Sequence, residues 1–361
     1  MTIPARERRY DIDWVRILAL GLMIAYHGLV FFQPWAGKLL FLQNNETLET
    51  LWRFPAEMIN VWRIPILFVL SGMGVWFAMS HRNGYQLLID RALRILLPLA
   101  AGSILICPLI PVIYLRFNGE PIKYLPNVGH LWFLGNIFIY FLFFLPIFLY
   151  LKKHPDNWFW RILNYIMKHP LGLMLFILLL ILEAWLLQPE YFAHYYFTPH
   201  GLVMGAICFF MGFLFVSNGP AFWSAVQIYR WVMLITAFVI YLIRLFVFES
   251  KGIPSQIYGA ESGLWILAVF GFASLHLNRP SKMLSQLSRA VYPVYIIHLP
   301  VQMSIAFMIL PMEISAAMKL VFLLVGTYIA SALIYYFIIK RTGPLGVLFG
   351  MNIKKERFNF S

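Results

Sequence analysis

The sequence predicts an all-α, polytopic membrane protein of about ten transmembrane helices, with both termini cytoplasmic. Three observations predict it. Of the 361 residues, 61% are hydrophobic and 12% charged, against about 25% charged in a soluble domain, so polar side chains are too few to cover a soluble surface. Apolar stretches of about 17–25 residues, the length of a bilayer crossing, recur along the whole chain. None alternates strictly between polar and apolar residues, so helices are expected and barrel strands are not.

The spans follow in order. Segment 14–33 comes after the polar, basic stretch Met1–Asp13; it is too long for a signal-peptide core and lacks a small-residue cleavage site, so it is expected to stay as the first span. Segment 57–79 runs to the turn His81-Arg82-Asn83-Gly84, and 93–115 begins after a basic loop. Gly129 and His130 open 131–151, and 171–188 and 199–217 follow it. The turn Ser217-Asn218-Gly219-Pro220 separates these from 229–248 and 258–276, and the series closes with 290–311 and 316–340. No internal repeat, low-complexity linker or separate soluble domain is evident, so residues 1–361 read as a single membrane domain. An aromatic share of 18% suits rings at two membrane–water interfaces.

Basic residues set the expected orientation. Arg6, Arg8 and Arg9 precede span one; Arg82, Arg91 and Arg94 follow span two; Lys152, Lys153, Arg161 and Lys168 follow span four. Arg279, Lys282 and Arg289 follow span eight, and the tail carries Lys340, Arg341, Lys354, Lys355 and Arg357. The alternate loops hold chiefly Lys38, Arg53, Arg116, Lys123 and Lys251. The positive-inside rule places the richer set in the cytoplasm. It also accounts for the net charge of +13, so no nucleic-acid partner is expected. Cys107 and Cys208 lie in apolar runs without metal-ligand spacing and read as buried thiols; neither a metal nor a prosthetic group is expected.

Charges within spans cost several kcal/mol unless paired or set beside a wet cavity, which makes each a candidate. Arg16 and His27 stand eleven residues apart in span one, about three turns and about 16 Å of rise on one helix face. Asp13, three residues before Arg16, can pair with it. Taken singly, Arg16 reads as an interfacial anchor and His27 as a packing histidine. Together they suit a ligand with a phosphate-rich head and a reactive end about 16 Å away, the form of a coenzyme A thioester. Arg63 in span two is expected at a depth like that of His27, with Glu57 and Asn60 as partners. Pro65 is expected to bend that helix, and Ser71-Gly72 to permit close helix approach. Arg91 and Arg94, at i and i+3 on a helix start, offer two forks to one anion, a role they share with topology signals and lipid anchors. His130 opens span four, His298 lies near the middle of span nine, and Glu183 is a further charge in span five.

In combination these residues resemble the acyltransferase-3 family of integral-membrane O-acyltransferases. Arg16, ten residues and His27 match its first span, Arg91-x-x-Arg94 its second cytoplasmic boundary, and Phe68-Val69-Leu70-Ser71-Gly72 its Ser-Gly segment. The Asp13 approach, His130-Leu131-Trp132-Phe133-Leu134 and Tyr295-Ile296-Ile297-His298 are similar to further recurring stretches. Asn60 through Pro65 most resembles glucan biosynthesis protein C-like members, with Met73 standing where an aromatic commonly follows Ser-Gly. The resemblance implies a multi-pass protein of the bacterial inner (cytoplasmic) membrane that moves an acetyl or succinyl group. The donor is cytoplasmic acyl-CoA, a co-substrate, and the acceptor is a hydroxyl of an extracytoplasmic glycan such as a periplasmic glucan. Arg16, Arg91 and Arg94 would hold coenzyme A phosphates. His27 would serve as general base or acyl carrier, and Arg63, from its matching depth, is the candidate to stabilise the oxyanion. Asp13, Ser71, Gly72, His130 and His298 would support them. Besides acyl-CoA and the glycan, membrane lipids are the expected partners. The alternative from the residues alone is a proton-coupled secondary transporter using Arg63, His27, Glu183 and His298, against which stands the lack of an inverted repeat.

Overall fold

The computed structural model describes residues 8–37, 42–80, 82–154, 157–167, 169–249 and 252–351. Arg6, Lys38, His81, Lys168, Lys251, Lys354, Lys355 and Arg357, used in the charge and turn readings, lie outside them. The described residues form helices and loops without a strand. Among the described residues nine helices are long and apolar enough to cross a membrane, and the chain is a multi-pass membrane protein. These are α1 (Tyr10–Val30), α2 (Glu49–Met79), α3 (Gly84–Phe117), α4 (Gly129–Lys153), α7 (Pro199–Ser217), α8 (Pro220–Phe246), α9 (Ser255–His276), α10 (Lys282–Ile309) and α11 (Ala316–Ile339). Between α4 and α7 lie α5 (Trp158–Met167) and α6 (Leu171–Leu187), and α12 (Gly343–Leu348) follows α11. The expected span 171–188 is α6, whose 17 residues rise about 25 Å, a little short of the hydrocarbon core.

Two expectations about local shape are corrected. The bend in α2 does not arise at Pro65. The helix breaks at Val61-Trp62 and restarts at Arg63, so Pro65 falls in a first turn, where its missing N–H costs nothing. Arg91 and Arg94 are not at a helix start either: α3 begins at Gly84 and runs through them by way of a π turn over Ala92–Leu96.

The chain divides into two compact units. The first comprises Met1–Ala19, Met58–Leu87 and Ile139–Leu284; the second comprises Leu20–Glu57, Leu88–Phe138 and Ser285–Ser361. In the first, small residues let backbones meet. A Cβ on Gly72 would overlap the Phe209 carbonyl, and one on Gly212 would overlap the Val69 carbonyl, so α2 and α7 touch along their main chains. Gly259 against Leu180 and Gly271 against Val226 bring α9 equally close to α6 and α8. Two buried charges in this unit, Arg244 and Glu183, have side-chain partners. Arg244 Nε donates to Glu261 Oε2 at 2.9 Å, and the Trp265 indole donates to Glu261 Oε1 at 3.3 Å. Glu183, the charge without an assigned partner in the sequence, lies 2.7 Å from His200 Nδ1, while His200 Nε2 donates to the Phe192 carbonyl at 2.7 Å.

In the second unit the core gathers Tyr26, Leu29, Val30, Phe31 and Phe32 of α1 and its exit, Leu299, Met303 and Ala306 of α10, and Leu320 and Leu323 of α11. Lys319, nearly buried, donates to Asn44 Oδ1 at 3.0 Å and to the Leu310 carbonyl at 2.8 Å, which ties the loop after α1 to the α10–α11 turn.

Candidate functional site

In the first unit Arg16 meets Asp13 and Arg63 meets Asn60, two of the expected pairs. Arg16 Nη1 donates to Asp13 Oδ1 at 3.1 Å, one turn back on α1, and Nη2 donates to the Leu70 carbonyl of α2 at 3.3 Å. Gly74 makes room for it, since a Cβ there would lie 3.4 Å from Nη2. Asp13 also receives Arg8 Nη2 at 3.0 Å, so one carboxylate steadies two guanidinium groups. Arg63 is 5% exposed, and its Nε and Nη2 donate to Asn60 Oδ1 at 3.3 and 3.1 Å. It sits on the first residue of a restarted helix, where the backbone dipole opposes a cation, so both burial and dipole raise its cost. Ser71 Oγ donates within α2 to the Leu67 carbonyl at 2.7 Å, and Gly72 lies at the α7 contact, so the Ser-Gly pair is spent on packing.

The second unit holds Arg91, Arg94 and all three histidines singled out by the sequence. Arg94 Nε donates to Asp90 Oδ1 at 2.9 Å, with the Arg94 side chain 38% exposed. Pro98 has no N–H to offer the carbonyl four residues back, and the Tyr292 hydroxyl fills that vacancy, donating to Arg94 O at 2.8 Å.

The same device builds the histidine cluster. Pro300 of α10 leaves the Ile296 carbonyl without its helical donor, and His130 Nε2 takes the place at 3.1 Å, also reaching Tyr295 O at 3.0 Å. Tyr295 returns the contact, its hydroxyl donating to the His130 carbonyl at 2.7 Å. His298 Nδ1 donates to Tyr295 O at 2.6 Å. The His27 ring stacks on His298 with centroids 5.5 Å apart and planes 6° from parallel. His130 meets His298 edge to face at 4.9 Å. Helices α1, α4 and α10 thus each contribute one imidazole.

Carbonyl oxygens only accept, so the nitrogens facing them carry the protons. As neutral imidazoles, His298 is the Nδ1–H tautomer with Nε2 a bare acceptor, and His130 is the Nε2–H tautomer with Nδ1 bare. Both bare nitrogens are buried without a hydrogen-bond partner among the described residues. Gln302, one turn beyond His298 and fully buried, was not foreseen from sequence. Its Nε2 donates to Ile24 O at 2.9 Å and lies against Gly28, beside His27.

A family model described as an acyltransferase domain matches residues 9–336. The chain belongs to the acyltransferase-3 family. It is therefore a membrane acyltransferase, and the transporter reading gives way. The match covers α1 through most of α11, and so takes in every residue of the candidate site. No curated protein and no solved structure matches the chain. Among the described residues no group of three or more His, Cys, Asp or Glu side chains is arranged to hold a metal ion.

Proposed function

We propose that this acyltransferase moves an acetyl or succinyl group from cytoplasmic acyl-CoA to a hydroxyl of an extracytoplasmic glycan, a periplasmic glucan of a bacterial inner membrane being the acceptor considered first. The observation that carries the reading is the histidine cluster: His27 occurs eleven residues beyond Arg16 on the unbroken helix α1 and stacks on a second, carbonyl-anchored imidazole. Arg91 and Arg94, with Arg16, bind the coenzyme A phosphates by charge-assisted, bidentate bonds. The pantetheine arm then brings the thioester to His27.

The transfer balances without an added reactant. The hydroxyl oxygen attacks the thioester carbonyl as His27 takes its proton, the C–O bond forms, and Arg63 stabilises the oxyanion. The C–S bond then breaks, and the proton passes from His27 to the departing thiolate. The products are the acyl ester and coenzyme A. General-base assistance of this kind contributes about 10²–10⁴ in rate. Asp13 orients Arg16. Both termini lie in the cytoplasm, and the whole chain acts as one catalytic membrane domain.

The test is thiol release from acetyl-CoA and succinyl-CoA by purified protein in detergent, with gluco-oligosaccharide present, comparing wild type, His27→Ala and Arg91→Ala. Donor-specific release that requires both residues supports the reading. Release that persists in His27→Ala removes that histidine from the chemistry, and absence of release from either donor in the wild type overturns acyl-CoA as the donor.

A further inference from the structure

Buried around the histidine cluster, His298 Nε2, His130 Nδ1 and Gln302 Oε1 have no hydrogen-bond partner among the described residues. All three are acceptors. The bonds to Tyr295 O and Ile296 O leave one bare nitrogen on each histidine, and the bond from Gln302 Nε2 to Ile24 O leaves its oxygen. His298 and Gln302 are 0% exposed. Three buried acceptors with no donor cost free energy unless something supplies protons to them. They are also neighbours. Gln302 is one turn from His298 on the same face of α10, and His130 abuts His298 at 4.9 Å. Gln302 Nε2 would lie 3.1 Å from a Cβ on Gly28, the residue next to His27.

We propose that His298 Nε2 and Gln302 Oε1, with His130 Nδ1, form a subsite beside His27 that accepts hydrogen bonds from the sugar hydroxyls flanking the one His27 deprotonates. The ligand class is a hydrogen-bond donor, an alcohol of a sugar, and no anion or bare carbonyl can satisfy the site. This rests on the acyl-transfer reading and adds to it the residues that recognise the acceptor. Tyr295 and the Ile296 carbonyl freed by Pro300 hold the two imidazoles in the tautomers that expose acceptors; Tyr295 is a positioning residue.

Two variants test it while sparing the anchoring bonds. His298→Asn keeps an amide N–H for Tyr295 O and removes the bare nitrogen. Gln302→Met keeps volume and removes the acceptor; Gln302→Glu, as the acid, keeps both bonds. With a linear gluco-oligosaccharide as acceptor and acetyl-CoA as donor, His298→Asn and Gln302→Met are expected to raise KM for the oligosaccharide about fivefold or more. KM for acetyl-CoA stays unchanged, and Gln302→Glu recovers the wild-type value. Per-O-methylated oligosaccharide, which has no hydroxyl to donate, does not compete. An unchanged oligosaccharide KM in both variants, with transfer intact, overturns the subsite and leaves the acyl-transfer reading standing.

A second measurement does not depend on turnover. Nitrogen-15 spectra of histidine-labelled protein in lipid vesicles are expected to show proton-free ring nitrogens on His130 and His298, the latter assigned by its loss in His298→Asn. Glycerol, as a hydroxyl probe, shifts the His298 signal. Protonation of both nitrogens, or no response to glycerol, overturns the subsite. If wild-type protein transfers to no oligosaccharide, the proposed acceptor class fails, and the nitrogen spectrum alone decides the subsite.

Discussion

Replacing Gly72 by alanine introduces a Cβ that overlaps the Phe209 carbonyl oxygen and crowds Phe213 N at 3.1 Å. Carbon and oxygen need roughly 3.5 Å, so α2 and α7 must part by roughly 1.5 Å or bend. The obstacle is backbone on backbone, and no flexible side-chain tip can swing away. Overpacking costs about 1–3 kcal/mol, and a clash between main chains belongs at the upper end, about 3 kcal/mol. Gly212→Ala repeats the collision from the other helix, against Val69 O. Helices already forced apart by the first substitution accommodate the second at less cost, so the double variant loses clearly less than the sum of the singles. Gly343→Ala, which meets no atom within 4 Å, is the control. The assay is thermal unfolding of purified protein in detergent, where Gly72→Ala is expected to lower Tm by on the order of 5 °C. A Tm equal to that of Gly343→Ala would refute the reasoning. Full stability with lost turnover would instead return the Ser71-Gly72 pair to the chemistry.

The remaining predictions follow from single contacts. Arg244→Met leaves the Glu261 carboxylate buried without its cation and costs about 3–5 kcal/mol; adding Glu261→Leu restores most of it, read from the same unfolding curves. Asp90→Asn alters stability by about 1 kcal/mol or less, because the Arg94 side chain is 38% exposed and water screens the pair. Arg94→Lys, lacking the planar fork, raises KM for acyl-CoA with kcat little changed in initial-rate assays. His27→Ala lowers kcat about 10²–10⁴-fold while equilibrium binding of acyl-CoA is retained.

Membrane class was legible because a bilayer imposes its demand locally: every crossing must be apolar over its own length, whatever it packs against. Pairs within one helical turn were legible for the same reason, and Asp13–Arg16 and Asn60–Arg63 form as their spacing requires. Helix boundaries were less so. The amphiphilic first turns of α3 continue beneath Arg91 and Arg94 although their hydropathy is low, and the break before Arg63 follows no glycine or proline at the break itself.

The sequence alone therefore determined the solvent, the helices and the individual intramembrane charges, since those follow from composition and from neighbours a few residues away. Only the tertiary structure decided that Glu183 is answered by His200, and that His27, His130 and His298 meet. It also decided that Gln302 joins them and that the bare nitrogens are acceptors. Those partners lie up to 278 residues apart, and no periodicity connects them. One local clue was present: Pro300 must free the carbonyl of Ile296. Which side chain would come to fill it was settled by how α4 and α10 pack, because a buried carbonyl takes whichever donor the fold brings within reach.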